Sequence, residues 1–186
     1  MTDDAKRARL LPCIRRAGLA DVELLAELGR RTFEEAFGAD NRPEDMAAHL
    51  ATAFVPAQIA ADLARPEVAY LVADRITPGR TPEAIGYSSL APEPAPPCVK
   101  GARPLRLVKL YVVAEAIGAG VGGALLAEGV ALARRGGHGS LWLGVWEHNH
   151  RARAFYARWG FQEVGTEPFR LGSDLQTDLL LERPVP

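Results

Sequence analysis

Four glycines within the eleven residues "AIGAGVGGALL", residues 116–126, restrict the fold of this chain more strongly than any other stretch. The near-continuous apolar segment before them, residues 105–113, predicts a buried strand, and the alanine- and leucine-rich sequence after them predicts a helix to about Arg135. A second apolar segment, residues 140–146, predicts another strand. Strand, helix and strand make a βαβ unit, so we expect these two strands to lie parallel.

Further strands and helices are predicted on both sides of this unit. Composition typical of strands places them at residues 11–17, 67–74, 84–90, 161–166 and 175–182. Helical periodicity and helix-end signals place helices at residues 22–37, 44–54, 57–64 and 150–159. Asp21 is the expected N-cap of the first helix, Pro43 and Pro56 are expected at first helical positions, and Gly160 ends the last helix. The total is an α/β fold with a mixed sheet of six or seven strands, in which residues 91–104 form an exposed proline-rich loop.

Charge, cysteine content and hydropathy exclude several classes of protein. The chain has 22 basic and 23 acidic side chains and a net charge of -1, without the basic excess that nucleic-acid binding needs. Cys13 and Cys98 lack the spacing of a zinc site or a disulfide framework, which favours a reducing cytoplasm. The sequence contains neither a secretory signal nor an apolar segment of about 18 residues. We therefore expect one cytoplasmic domain over residues 1–186, with residues 1–10 as a flexible tail and with neither nucleic acid nor a membrane as partner.

The glycine run can be compared with several known kinds of ligand-binding loop. Gly118, Gly120 and Gly123 satisfy the G-x-G-x-x-G pattern of dinucleotide-binding folds. Four residues separate Gly118 from Val113, however, and no acid stands about 20 residues later to bind a ribose, which disfavours that reading. A P-loop is excluded because no G-K-[ST] follows. Glycine amides at a helix N-terminus still offer N–H donors and the positive end of the helix dipole, so the run predicts a phosphate-binding loop suited to pyrophosphate.

A second motif lies downstream of the glycines and completes a family resemblance. It has the spacing N-x-x-A-x-x-F-Y-x-x-x-G-F and consists of Asn149, Ala152, Phe155, Tyr156, Gly160 and Phe161. Together with the glycine loop, it resembles the GNAT superfamily of acetyl-CoA-dependent N-acetyltransferases. The resemblance runs from about residue 12 to residue 183 and is greatest to the spermidine/spermine (PaiA-like) group. The segments that resemble this group are residues 32–38, 41–50, 142–149 and 171–182. It implies a mostly antiparallel sheet around the central parallel βαβ unit.

The resemblance also implies a site for acetyl-CoA as co-substrate. The strand residues implied to splay from their neighbour and bind the pantetheine arm are Leu110, Tyr111 and Val112. An amide at Val112 or Val113 would then polarise the thioester carbonyl. The residues implied to hold the pyrophosphate are Gly118, Ala119, Gly120, Val121, Gly122 and Gly123. Asn149 is expected to cap the last helix or to bond the coenzyme arm, and Tyr156 is expected to be the general acid that protonates the departing thiolate.

Three positions depart from the patterns of the resembled proteins. Ile117 stands where the phosphate loop usually has Gln or Arg, so backbone amides must carry most of the phosphate binding. Val108 stands where the PaiA-like group tends to have an acid, and Glu167 stands where that group tends to have a histidine. These departures leave polyamine specificity open.

The sequence does not single out a general base. The acids considered for this role are Glu34, Glu35, Glu115 and Glu147, and loss of the proton to solvent is the alternative. No metal is expected, because the histidine pair at His148 and His150 lacks a third ligand nearby.

The expected function is therefore transfer of acetyl from acetyl-CoA to a primary amine by direct attack. A polyamine is the first candidate for the acceptor, another small amine the second, and a peptide N-terminus or lysine the third. A catalytically silent coenzyme A-binding regulatory module and a dinucleotide-dependent oxidoreductase are the competing classes. Dimerisation is left open.

Overall fold

The computed structural model describes residues 12–186, so the expected N-terminal tail lies outside the described residues. Over this range the strands are β1 Cys13–Arg16, β2 Ala69–Arg75, β3 Glu83–Ala91, β4 Leu105–Val112, β5 Ser140–Trp146, β6 Gln162–Leu171 and β7 Asp174–Pro184. The helices are α1 Val22–Phe37, α2 Pro43–Ala53, α3 Pro56–Leu63, α4 Val121–Arg135 and α5 His150–Arg158. Pro43 and Pro56 occupy first helical positions as predicted.

The strands form one sheet in the order β1-β2-β3-β4-β5-β7-β6. Neighbouring strands are antiparallel except for β4 and β5, which are parallel and joined through α4. The prediction of a mixed, mostly antiparallel sheet around a parallel βαβ unit is confirmed. The last two strands are longer than predicted, because Gly172 and Ser173 alone make the turn between them.

Helices α1 and α4 cover opposite faces of the sheet. Gly86 and Tyr87 are neighbours on β3, and successive side chains of a strand point to opposite faces. A methyl group at Gly86 would lie 3.3 Å from Val121 of α4, whereas the hydroxyl of Tyr87 would lie 3.0 Å from a methyl group at Gly29 of α1. The main core includes buried residues on both faces of the sheet, among them Leu25 and Leu28 of α1 and Leu125 of α4, and a smaller aromatic cluster lies where α1 meets α2.

Asp21 occupies the predicted N-cap position of α1, but without the expected capping bond. The Asp21 side chain makes no capping bond to α1. Its carboxylate accepts hydrogen bonds from Arg15 and from the Gly18 backbone N–H, each at 2.9 Å. The physical reason is that a short 3-10 turn, Leu19–Asp21, precedes α1 and directs this carboxylate back toward β1.

The proline-rich segment is not simply an exposed loop, as its composition predicted. Val99 is buried with Trp142 and Leu180 in a small apolar cluster on the sheet. Glu182 of β7 accepts hydrogen bonds from the backbone N–H groups of residues 100 and 101 at 3.0 and 2.9 Å. Apolar contacts, the Glu182 carboxylate and an ion pair between Glu93 and Arg106 at 2.7 Å therefore hold this segment on the sheet.

Two glycine-to-alanine changes are expected to have opposite effects on stability. A methyl group at Gly29 would collide with the ring of Phe54 and lie 3.0 Å from the buried Tyr87 hydroxyl, whereas one at Gly123 would make only an ordinary contact with Trp159 at 3.6 Å. We expect Gly29→Ala to lower the free energy of unfolding by about 1 kcal/mol despite its better helix propensity, and Gly123→Ala to raise it by about 0.5–1 kcal/mol. Urea denaturation checks both values, and stabilisation by both changes would contradict the tight packing of α1.

Candidate active site

The two central strands diverge along their length. The β4–β5 ladder consists of two residue pairs, Leu105 with Leu141 and Arg106 with Trp142. Beyond that point β4 remains paired with β3 as far as Val112, and β5 remains paired with β7 as far as Trp146. A wedge therefore opens between the carboxyl-terminal halves of β4 and β5, and residues 110–112 line its β4 side. We call this opening the wedge.

At the end of β4, one backbone N–H group points into the wedge. The Val113 N–H donates to the carbonyl of Ile85 at 3.1 Å, so it points away from the wedge toward β3. Successive N–H groups of a strand point to opposite sides, so the Val112 N–H points into the wedge. Of the two amides considered from the sequence as donors to a thioester carbonyl, the geometry leaves Val112.

The glycine loop presents backbone to open space at the start of α4. Gly118 and Gly120 have φ values of +83° and +89°, and a methyl group at either position would meet no other atom. The first helical bond of α4 runs from the Ala124 N–H to the Gly120 carbonyl at 3.0 Å. The N–H groups of residues 121–123 consequently have no carbonyl one turn earlier in the helix, and they point outward with the positive end of its dipole.

Not every residue of the glycine loop offers a donor. The Ala119 N–H donates to the carbonyl of Ala116 at 3.2 Å, so this amide stabilises the turn and does not offer its hydrogen to a ligand. The Ile117 side chain is 42% exposed and brings no polar group to the loop. The groups of the loop that can bind an anion are therefore the backbone N–H groups in the first turn of α4.

Helix α5 brings the second sequence motif beside the glycine loop. The Asn149 side-chain oxygen accepts a hydrogen bond from the Ala152 N–H at 3.0 Å, which confirms the expected helix cap. Its amide nitrogen remains able to donate elsewhere. A methyl group at Gly122 would lie 3.8 Å from the ring of Phe155, so the first turn of α4 lies beside α5.

Tyr156 of α5 has the properties of a proton donor. Its ring packs against Phe155 and Phe161, with centroid distances of 5.2 and 5.4 Å, and the residue is 8% exposed. Burial raises the pKa of its hydroxyl above the ordinary value, so the phenol keeps its proton at neutral pH. Burial raises the pKa of Tyr111 on β4, and Tyr156 and Asp178 each add to this rise, so each of them lies within electrostatic range of Tyr111.

The acids that the sequence suggested as general bases have other surroundings. Glu35 pairs with Arg31 at 2.8 Å and accepts a hydrogen bond from the Ala114 N–H, also at 2.8 Å. Glu115 pairs with the same arginine at 2.8 Å, so these two acids fasten α1 to the turn after β4. Glu34 is exposed, and the Glu147 side chain is 41% exposed with His148 at 4.0 Å. None of the four is buried.

A different pair of carboxylates lies over β5, next to the wedge. Glu167 of β6 stands opposite Asp178 of β7 in the ladder between these strands. A methyl group at Gly144 of β5 would lie 3.0 Å from a Glu167 oxygen and 3.1 Å from an Asp178 oxygen, so the absence of a side chain there gives both acids their space. Arg106 of β4 pairs with Glu167 at 3.2 Å. The three charged groups come from three strands.

The two carboxylates differ in their partners. Glu167 has Arg106, whereas Asp178 makes no hydrogen bond or ion pair within residues 12–186. Burial and the neighbouring Glu167 raise the pKa of Asp178 to about 6, and Arg106 opposes this change. Sequence reasoning missed Asp178, although an acid directly before the apolar run of residues 179–181 was a signal, and noted Glu167 only as a departure from a family pattern.

Aromatic side chains cover the same region from the side of α1 and α2. The ring of Phe37 lies 6.2 Å from Trp146 at the end of β5 and 6.4 Å from Tyr111 on β4. His49 of α2 stacks on Phe33 at 4.5 Å, and burial together with the charge of Lys109 lowers its pKa. Aromatic faces near carboxylates form a suitable environment for an organic cation.

Residues 12–186 contain no group of three or more His, Cys, Asp and Glu side chains arranged to hold a metal ion. No helix in this range has the length and apolar character of a transmembrane segment.

Comparison with known proteins agrees with this geometry. Residues 27–161 match the acetyltransferase (GNAT) family model. An uncharacterized N-acetyltransferase of Lactobacillus delbrueckii subsp. lactis is 32% identical over 167 residues, which cover 89% of this chain and 92% of that protein. An uncharacterized N-acetyltransferase of Mycobacterium tuberculosis is 33% identical over 168 residues, covering 90% and 99%. The PaiA N-acetyltransferase from Thermoplasma acidophilum, in complex with coenzyme A, shares the fold with a TM-score of 0.72 at 19% identity, over 92% of this chain and 98% of that one. The chain therefore belongs to the GNAT family and is an acetyltransferase.

Proposed function

We propose that this enzyme moves the acetyl group of acetyl-CoA to the primary amine of a small molecule in the cytoplasm, by direct attack and within a single catalytic domain. The observation that carries this proposal is the wedge between β4 and β5, with a glycine loop and a buried tyrosine beside it. Neither Cys13 nor Cys98 belongs to the glycine or Asn-Tyr motif, which supports a direct route without an acyl-enzyme.

The wedge and the glycine loop fit the donor substrate. The inner edge of β4, at Leu110, Tyr111 and Val112, offers backbone groups to the amides of the pantetheine arm. The N–H groups at the start of α4, with Gly118 and Gly120 in the loop before them, bind the pyrophosphate. The Asn149 side-chain amide donates to the arm between these two places.

The chemistry then follows from groups around the end of β4. The amine nitrogen attacks the thioester carbonyl carbon, and the Val112 N–H stabilises the negative charge that develops on the carbonyl oxygen. As the carbon–sulfur bond breaks, the Tyr156 hydroxyl gives its proton to the sulfur. The phenol recovers a proton from solvent.

The surroundings favour a cationic small amine as acceptor. Asp178 and Glu167 supply negative charge beside the wedge, and Trp146, Phe37 and Tyr111 supply aromatic faces. A polyamine is our first candidate, and a monoamine is our second. A peptide N-terminus or lysine is the alternative acceptor.

A binding assay and an amine panel test the proposal. Acetyl-CoA at 100 times its Kd is expected to raise the melting temperature by roughly 5–10 °C, whereas NADH is expected to leave it unchanged. Thiol release from acetyl-CoA should then appear with at least one of spermidine, putrescine, a monoamine or a lysine peptide. Binding of acetyl-CoA without release from any amine would favour the regulatory-module alternative, and stabilisation by NADH alone would overturn the proposal.

A further inference from the structure

We propose that Asp178 is the general base that removes the proton from the acceptor's ammonium group, and that Glu167 and Arg106 position it. This inference rests on the acetyl transfer proposed above and adds the residue that makes the nitrogen nucleophilic. Of the four acids suggested by the sequence, Glu35 and Glu115 pair with Arg31, and Glu34 and Glu147 are partly or fully exposed.

The position of Asp178 suits this role. It pairs across the sheet with Trp146, the last residue of β5, at the open end of the wedge. Its carboxylate leans over Gly144 on the same strand, so it lies above β5, between β6 and the wedge. An amine that reaches the end of β4 from this side of the sheet passes the carboxylate before it reaches the thioester.

The charges around Asp178 leave it without a neutralising partner. Glu167 of β6 faces it across the ladder, and Arg106 of β4 is the cation of the group. Arg106 directs its two terminal nitrogens to Glu93 at 2.7 Å and Glu167 at 3.2 Å, and to neither oxygen of Asp178. Because Asp178 is partly exposed and no cation of residues 12–186 forms an ion pair with it, an arriving ammonium group can pair with this carboxylate.

Other titratable groups near Asp178 are Tyr111 and, directly after its cross-strand partner Trp146, the pair Glu147 and His148 at the exposed end of β5. Tyr111 of β4 is close enough for its pKa to rise in response to Asp178, and β5 contributes Gly144 and Trp146. Because burial and Glu167 raise the pKa of Asp178 to about 6, the carboxylate is ionised at pH 7 and yet basic enough to accept a proton.

The step balances as follows. The ammonium gives one proton to the Asp178 carboxylate, and the freed nitrogen lone pair forms the bond to the thioester carbonyl carbon. The carbon–sulfur bond breaks, the sulfur takes the proton of Tyr156, and the nitrogen loses its second proton to solvent, from which Tyr156 recovers one. Asp178 returns its proton to solvent, so one ammonium and one acetyl-CoA give one amide, one coenzyme A thiol and one proton.

The test is the pH dependence of kcat in Asp178→Asn, which keeps the size of the side chain and removes its basicity. With the most active cationic amine of the panel, we expect kcat at pH 7 to fall by about 100-fold. The loss should shrink as pH rises to 9, because solvent then supplies neutral amine, while wild-type kcat stays level above pH 7. Asp178→Glu should recover part of the rate. Asp174→Asn, at the exposed start of the same strand, should behave as wild type.

Other outcomes separate this inference from the proposed function. A higher KM with unchanged kcat and an unchanged pH profile would make Asp178 a binding residue and overturn its role as base. A variant that keeps half of the wild-type kcat at pH 7 would also overturn it, with acetyl transfer left intact. A wild-type enzyme that binds acetyl-CoA and acetylates no amine would overturn both this inference and the proposed function. As a control for misfolding, the melting temperature of the variant should lie within about 3 °C of wild type.

Discussion

Tyr156→Phe is expected to lower kcat by about 100-fold while the KM for acetyl-CoA stays nearly constant. The variant keeps the ring that packs against Phe155 and Phe161 and loses only the hydroxyl. Because the thiolate must then leave without a proton from the enzyme, the loss falls on the chemical step. Steady-state rates of thiol release with a saturating amine measure it.

Tyr70→Phe is the matched control for Tyr156. It also removes one hydroxyl from a buried tyrosine, whose present partner is Asp62 at 3.2 Å on α3. We expect this control to change stability slightly and kcat hardly at all. If Tyr156→Phe kept kcat within twofold of wild type, the barrier would have changed by only about 0.4 kcal/mol, and Tyr156 would not be the acid.

Gly120→Ala is expected to weaken acetyl-CoA binding by at least about tenfold. Gly120 has a φ of +89°, a conformation that costs an alanine about 1–2 kcal/mol. The loop can relieve this strain only by rotating the peptide groups beside it, which turns the N–H donors of the α4 N-terminus away from the pyrophosphate. Isothermal titration with acetyl-CoA gives the change in Kd.

Gly79→Ala separates binding from backbone strain. Gly79 lies in the β2–β3 connection with a φ of +74°, and a methyl group there also meets no other atom. Both variants should therefore lose similar stability, and only Gly120→Ala should lose affinity. An equal Kd for the two variants would show that the glycine loop does not hold the coenzyme.

Local sequence features predicted much of the fold, including the elements that carry the glycine loop and Tyr156. The strand–turn–helix around Gly120 and the capped helix from Asn149 to Tyr156 depend on residues within one or two turns of each other, so their spacing was sufficient to identify them. The parallel βαβ unit followed from element order. Each of these predictions concerns neighbours along the chain.

Long-range pairing could not be predicted in the same way. Asp178 and Glu167 meet because β6 and β7 adopt one register, and Arg106 reaches Glu167 from 61 residues away. Hydrophobic periodicity tells which face of a strand is buried, but it does not tell which residue lies opposite. The attachment of the proline-rich segment to Glu182, 82 residues from Lys100, escaped prediction for the same reason.

Because of the wedge, this sheet has inner edges in addition to its outer strands. Besides the outer strands β1 and β6, the diverging ends of β4 and β5 are two inner borders with unpaired backbone. Exposed borders of this kind invite pairing with foreign chains, and proteins usually blunt or cover them. Here α4 and α1 cover opposite faces of the sheet next to these inner borders, which hinders another protein's sheet from pairing with them. The divergence of β4 and β5 thus provides unpaired backbone in the middle of the sheet, away from its outer strands.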